Sequence, residues 1–195
     1  MINTVPGWIQ ERELDALHSL CLPYNYIGSI GVEIGSAHGR SSYTIANAIP
    51  LGSLFCIDLW KGLPTYEEEK YTDEERTKHN YPGKECFNTL SFFKENTRDC
   101  PNITPIRGRS PDVVKFWTDQ IDLFFLDASH SNPWDRDNID FWVPKIKSGG
   151  VIIGHDLYDN DYFPDIRANV KYLEEKLNQK VLTFPGGSIW AVIVG

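Results

Sequence analysis

The stretch IGVEIGSAHGRSS, residues 30–42, alternates apolar Ile30, Val32 and Ile34 with Gly31 and Glu33, then breaks at Gly35 and again at Gly39. The alternation predicts a strand, the glycines a tight loop, and RSSYTIANAI (40–49) a helix that stops before Pro50. Gly35 and Gly39 allow the backbone to turn sharply and approach a ligand, with the helix N-terminus pointing at the same place.

Outward from this stretch the same grammar repeats. SLFCID (53–58), NITPIRG (102–108), IDLFFLD (121–127) and GGVIIGHD (149–156) read as strands. Helices are predicted over 8–21, over 87–99, over 110–117 with Ser110 as cap and Pro111 in the first turn, over 134–146 and over 165–177. KVLTF–PGGS–IWAVIV (180–194) reads as two antiparallel strands joined by a Pro-Gly-Gly turn. Runs such as LFCI and DLFFL are apolar on both faces, as a sheet covered on each side by helices requires. The sum is a doubly wound, Rossmann-like α/β fold, mostly parallel and closed by an antiparallel hairpin.

One domain is expected over the 195 residues, with 1–29 as an N-terminal helical segment. Residues 61–101 depart from the alternation: YEEEKYTDEERTKHNYPGKE is charged and Tyr-rich and supplies no core strand. We read 61–101 as an insertion over one end of the sheet, either a substrate lid or a solvated surface loop.

The formal net charge of −8 argues against nucleic acid as a partner, since phosphate binding needs clustered Lys and Arg. Residues 112–165 hold eleven Asp against four Lys or Arg, a local field that favours a cation. No apolar run approaches the ~18–20 residues of a membrane span, so no membrane partner is expected. The N-terminus lacks the pattern of a signal peptide. Cys21, Cys56, Cys86 and Cys100 are scattered without a C-x-x-C pair, which favours free thiols. A cytoplasmic protein is expected.

In a doubly wound sheet the ligand sits beyond the carboxyl ends of the strands, where strand order reverses. Polar or acidic groups end every apolar run: Glu33-Ile34-Gly35, Asp58-Leu59-Trp60, Gly108-Arg109-Ser110, Asp127-Ala128-Ser129-His130 and His155-Asp156. A dinucleotide loop would read G-x-G-x-x-G, presenting bare amides to a pyrophosphate. Here Ser36 and Ala37 fill its middle and Glu33 adds negative charge, which suits a ligand with a cationic part. Asp58, 23 residues beyond Gly35, stands where a carboxylate accepts hydrogen bonds from both ribose hydroxyls. A ribose and a positive group without phosphate describe S-adenosylmethionine.

With VEIGSAHGRSS, LFCIDLW, IRGRSPDV, IDLFFLDASHS and IKSGGVIIGHDLYD in this order, the sequence resembles class I S-adenosylmethionine-dependent methyltransferases. Within them it is similar to the small metal-linked O-methyltransferases of the macrocin and cephalosporin-hydroxylase-like group. The resemblance spans residues 30–60 and 102–195 and implies a seven-stranded sheet whose last strand is antiparallel. It implies that Glu33, Gly35, Ser36, Gly39 and Ser41 line the methionine and ribose side, and that Asp58 binds the ribose. Leu59 and Trp60 would lie beside the adenine, Arg109 and Ser110 would border it, and Asp127 would face the reacting methyl group. Insertions like 61–101 usually shape the acceptor site in this fold, and its members often pair as homodimers.

The resemblance also implies a divalent cation, Mg²⁺ or Mn²⁺, held by Asp127, His155 and Asp156. A hard cation wants carboxylate oxygens and lowers the pKa of an acceptor hydroxyl. The pattern departs from that group, since His155 stands where some relatives have Asp and Ser129 where a second acid often sits. His130 is a candidate general base, its ordinary pKa near 6.5 suiting removal of a hydroxyl proton. His38 is expected only to flank the cofactor, Trp134 and Trp142 to pack helix faces, and Asp159 and Asp161 to form turns. The expected activity is methyl transfer from S-adenosylmethionine to an oxygen of a small molecule. Transfer to nitrogen or nucleic acid on the same fold, or a nonenzymatic domain that only binds S-adenosylmethionine, stand as alternatives.

Overall fold

The structure is a computed structural model, which describes residues 4–60, 89–158, 163–185 and 187–195. Its centre is a seven-stranded sheet: β1 (Ile30–Ile34), β2 (Ser53–Asp58), β3 (Ile103–Arg107), β4 (Ile121–Leu126), β5 (Ile146–Gly154), β6 (Leu182–Thr183) and β7 (Trp190–Ile193). The order is β3-β2-β1-β4-β5-β7-β6, and β7 pairs antiparallel with both neighbours while the other pairings are parallel. Strand order reverses between β1 and β4, so the crevice belongs beyond Ile34 and Leu126.

The strand side chains alternate between two apolar layers. Leu54, Cys56, Leu123, Phe125, Val151 and Ile153 pack with Leu14, Leu17, Ile45 and Phe93 on one face. These last come from α1 (Glu11–Cys21), α2 (Arg40–Ala48) and α3 (Leu90–Asn96). Val32, Ile34, Phe124, Leu126 and Ile152 pack with Ile139, Trp142, Ile166 and Leu173 on the other, from α4 (Trp134–Trp142) and α5 (Pro164–Leu177). All six residues of β4 are buried, as a central strand covered on both faces demands.

Three predicted elements differ. The helix over 110–117 is only a single 3-10 turn, Asp112–Val114. The β-branched pair Val113–Val114 is a poor helix former, and Trp117 instead packs edge-on against Phe55 and Trp142. The helix over 134–146 ends at Trp142, because Pro144 follows, and continues as a 3-10 turn. The segment 61–101 is not all insertion: α3 lies within it and Phe93 is fully buried in the core. Of the lid or solvated loop expected over 61–101, residues 61–88 lie outside the described residues, as do Asp159 and Asp161. Among the described residues no helix is long and apolar enough to cross a membrane.

Candidate active site at the strand ends

At the crest of β1 the chain turns through Gly35 at φ +91°. A Cβ built there would stand 1.8 Å from the Asp127 carbonyl oxygen, so only glycine lets this loop meet the end of β4. Gly39, also at φ +91°, caps α2. The Gly39 amide donates to the Ser36 carbonyl at 2.7 Å, closing the loop into a compact turn.

Asp58 reaches this loop from the end of β2. Its Oδ2 accepts the Ala37 amide at 2.9 Å and its Oδ1 the Trp60 amide at 2.6 Å. Burial pushes the Asp58 carboxyl up, and the amides of Trp60, Ala37 and Ser36 oppose that. Loop amides that would cradle a pyrophosphate are thus taken by a carboxylate. A ligand bringing hydroxyl donors and positive charge fits this loop, and a diphosphate does not.

Glu33 is fully buried and faces α2, beneath the loop rather than in the crevice, which differs from the sequence expectation. Its Oε2 accepts from Ser36 Oγ at 2.7 Å and from Ser42 Oγ, and Ser41 also hydrogen-bonds the carboxylate. Burial raises its pKa against these hydroxyls. Ser36 and Ser41 therefore spend their side chains on Glu33. Strand parity accounts for this: Glu33 alternates with Val32 and Ile34, whose face is that of α4 and α5.

Trp60 is wedged inward, with its indole N–H donating to the Ala37 carbonyl at 2.9 Å and its ring 4.9 Å from Phe93. Leu59, which the sequence also placed beside the adenine, is exposed. Ser110 is buried and its Oγ accepts the Trp142 indole N–H at 3.0 Å, so it anchors packing where an adenine border was expected. The Arg109 guanidinium lies over the Trp134 ring at 3.1 Å, which brings Trp134 to the crest although the sequence suggested only helix packing. His38, buried, sits edge-on to Phe92.

Across the switch point lies a cluster of acids and imidazoles. His130 Nε2 stands 3.2 Å from Asp127 Oδ1 and 2.9 Å from Asp156 Oδ2. The ligand atoms of Asp127, His130 and Asp156 all lie within 4.8 Å of one another. Burial disfavours charge on His130, but the two carboxylates outweigh it and push its pKa up to about 10. Burial likewise raises Asp127 and Asp156, and the neighbouring imidazoles turn both shifts downward.

His155 sits behind this trio. It is 5% exposed, with Nδ1 3.1 Å from Asp156 Oδ2 and 3.7 Å from Asp127 Oδ2. Its Nε2 faces away, 3.4 Å from Glu13 Oε2, an ion-pair contact without hydrogen-bond geometry. The ion-sized cluster therefore takes in His130, where the sequence reading had His155. Two backbone facts bring His130 forward: it and Asp156 adopt positive φ, 54° and 61°. Ala37 and Trp60 do so as well, so among the described residues four of the five with positive φ other than glycine stand at the strand ends. Such strain is held at sites where geometry matters more than comfort. Sequence reasoning missed Glu13, and also Asp135, which is buried beneath His130 and accepts from Ser129 Oγ at 2.9 Å. Glu13 lies 142 positions from His155, and no local pattern joins them.

The donor set fits a divalent cation. Two carboxylates and one imidazole converge, and the carboxylates favour positive charge between them, which is why they push the His130 pKa up. An imidazole in the set suits Mn²⁺ better than Mg²⁺, which prefers oxygen throughout.

The model of a family described as "Methyltransferase domain" matches residues 32–157. A search of curated proteins finds no match. Solved structures share the fold at low identity. The O-methyltransferase TomG from Streptomyces achromogenes, in complex with SAM, is 16% identical, covering 96% of this chain and 82% of its own, with a TM-score of 0.62. CalS11, a TDP-rhamnose 3'-O-methyltransferase of calicheamicin biosynthesis, is 14% identical over 96% and 82%, with a TM-score of 0.64. A precorrin-6y C5,15-methyltransferase from Geobacter metallireducens is 16% identical over 84% and 70%, with a TM-score of 0.56.

Proposed function

The chain belongs to the methyltransferase domain family of S-adenosylmethionine-dependent enzymes, and from that premise we propose that it methylates a hydroxyl of a small molecule with the help of a divalent cation. The fold is shared with enzymes acting on oxygen and on a precorrin, so the acceptor must be argued from the site. One observation carries the reading: Asp127, His130 and Asp156 form an ion-sized cluster directly across Gly35 from the cofactor loop. A hydroxyl needs such help, because it is a poor nucleophile until its proton leaves, whereas an amine is not.

S-adenosylmethionine, when bound, supplies an electrophilic methyl group on a sulfonium sulfur. Asp58 would hold the ribose hydroxyls, exchanging them for amides it now accepts, and the 35–39 loop would shape the methionine end. Arg109 and Trp134 would wall the adenine side together with Leu59. Asp127, His130 and Asp156 would hold the cation, which lowers the acceptor hydroxyl's pKa. His130 thereby takes a ligand's part rather than the base's: its Nε2, which lies between the two carboxylates, would give up its proton when the cation binds, and its lone pair would then serve the cation rather than the acceptor hydroxyl. Orientation of the acceptor against the methyl group is the rest of the protein's contribution. The net charge of −8 supports a small molecule over nucleic acid.

Calorimetry with S-adenosylmethionine tests the first half. We expect binding that Asp58→Ala weakens at least tenfold, on the ~1.5–3 kcal/mol scale of lost charge-assisted hydrogen bonds; an absence of heat and of any thermal shift sinks the reading. Radiolabelled methyl transfer to a panel of hydroxylated compounds tests the second. Asp127→Ala should abolish turnover, and an active variant removes Asp127 from the chemistry.

A further inference from the structure

Asp156 is held from behind by groups outside the Asp127–His130–Asp156 cluster. Glu13, on α1 and 4% exposed, accepts the Ser188 amide at 2.7 Å and the Ser188 hydroxyl at 3.1 Å with Oε1. The same Ser188 Oγ receives the Asp156 amide at 3.3 Å, at the point where Asp156 takes φ +61°. Glu13 Oε2 accepts the Gln10 amide at 2.9 Å and lies 3.4 Å from His155 Nε2. The other nitrogen of that ring stands 3.1 Å from Asp156 Oδ2 and 3.7 Å from Asp127 Oδ2. A ring of contacts thus closes: Glu13, His155, Asp156, Ser188 and back to Glu13.

A carboxylate buried this deeply is not needed to cap α1, since an exposed one would serve equally at Gln10. Both of its oxygens instead engage partners of Asp156, one route through the backbone and one through the side chain. We propose that Glu13 is a positioning residue, which acts through His155 and Ser188 to fix the Asp156 and Asp127 carboxylates for the cation. This rests on the cation reading above. It makes α1 part of the active site, and it explains a histidine at 155: an imidazole spans two carboxylates that an acid there would repel.

The test is Glu13→Gln in the full chain, with Mn²⁺ affinity read by electron paramagnetic resonance and S-adenosylhomocysteine affinity by calorimetry. Outer-shell partners of metal sites are worth about 10- to 100-fold in metal affinity. We expect a loss of that size for Mn²⁺ with nucleoside binding unchanged, a split that general loosening would not produce. His155→Asn, which keeps an N–H near the Nδ1 position but cannot reach Glu13, should give the same split and carries the comparison if Glu13→Gln does not fold. Unchanged Mn²⁺ affinity in a folded variant overturns the proposal, and so does failure of both variants to fold, which assigns the pair to stability alone. A wild-type protein that takes up no Mn²⁺ sinks the cation reading by itself. In that case the crystal structure of Glu13→Gln decides: an Asp156 carboxylate turned from His130 supports the positioning role, and one left in place overturns it.

Discussion

At the scale of single residues, Gly35 and Glu13 show two ways in which one position governs the site. Gly35→Ala would place a methyl group against the Asp127 carbonyl and strain a backbone at φ +91°. It should lower stability by at least ~2 kcal/mol, read as the midpoint of urea unfolding; a variant as stable as the wild type would show that the β1 and β4 ends do not meet. Burial pushes the Glu13 carboxyl up, but the His155 ring and the Gln10 and Ser188 amides outweigh it and bring it down to about 2. A carboxyl lowered on folding stabilises the protein above its unfolded pKa, near 4.3, and loses that contribution as the pH falls towards 2. Thermal midpoints of wild type should therefore drop between about pH 4.3 and pH 2 more steeply than those of Glu13→Gln. Parallel curves would mean that Glu13 is not held charged by its neighbours.

Elements carry a different kind of information. β4 has every residue buried, so Phe124→Ala should cost about 3–5 kcal/mol in chemical denaturation. Phe116, 85% exposed beyond the 3-10 turn, should tolerate alanine within about 0.5 kcal/mol. Comparable losses at both positions would contradict the two-layer core. β1, β2, β4 and β5 were readable because a strand covered on both faces must be a short apolar run, and a polar residue ends it where the cover stops. The glycine loop was readable because positive φ and close approach leave few residue choices. What could not be read was direction. Glu33 ends up under the loop because strand parity sends it there, and Ser110 turns to Trp142 although it borders the expected pocket. His130 joins the two aspartates from the side opposite to the expected His155, on a left-handed backbone at 130 of which chain order carries no sign.

Over the whole molecule, a bound cation should appear as added stability. The carboxylates of Asp127 and Asp156 share one partly exposed pocket with two imidazoles, and a ligand that binds only the folded state stabilises by mass action. Mn²⁺ at 100 times its dissociation constant should add about 2.7 kcal/mol, seen as a raised thermal midpoint that EDTA reverses. A melting curve indifferent to both would remove the cation from the mechanism. The fold itself was legible at this scale, since alternation of strands and helices is a property of the chain as a whole. Glu13 was not, because its partners lie at 155 and 188 and only tertiary packing introduces them.

That last contact reaches across 175 positions of the chain. During synthesis the first helix leaves the ribosome long before Ser188 exists to receive it. Until the closing hairpin emerges, Glu13 has no amide to hold and Asp156 no brace behind it. The nascent polypeptide can lay down its central strands early, yet the cluster of acids and imidazoles lacks this support until Ser188 has been made.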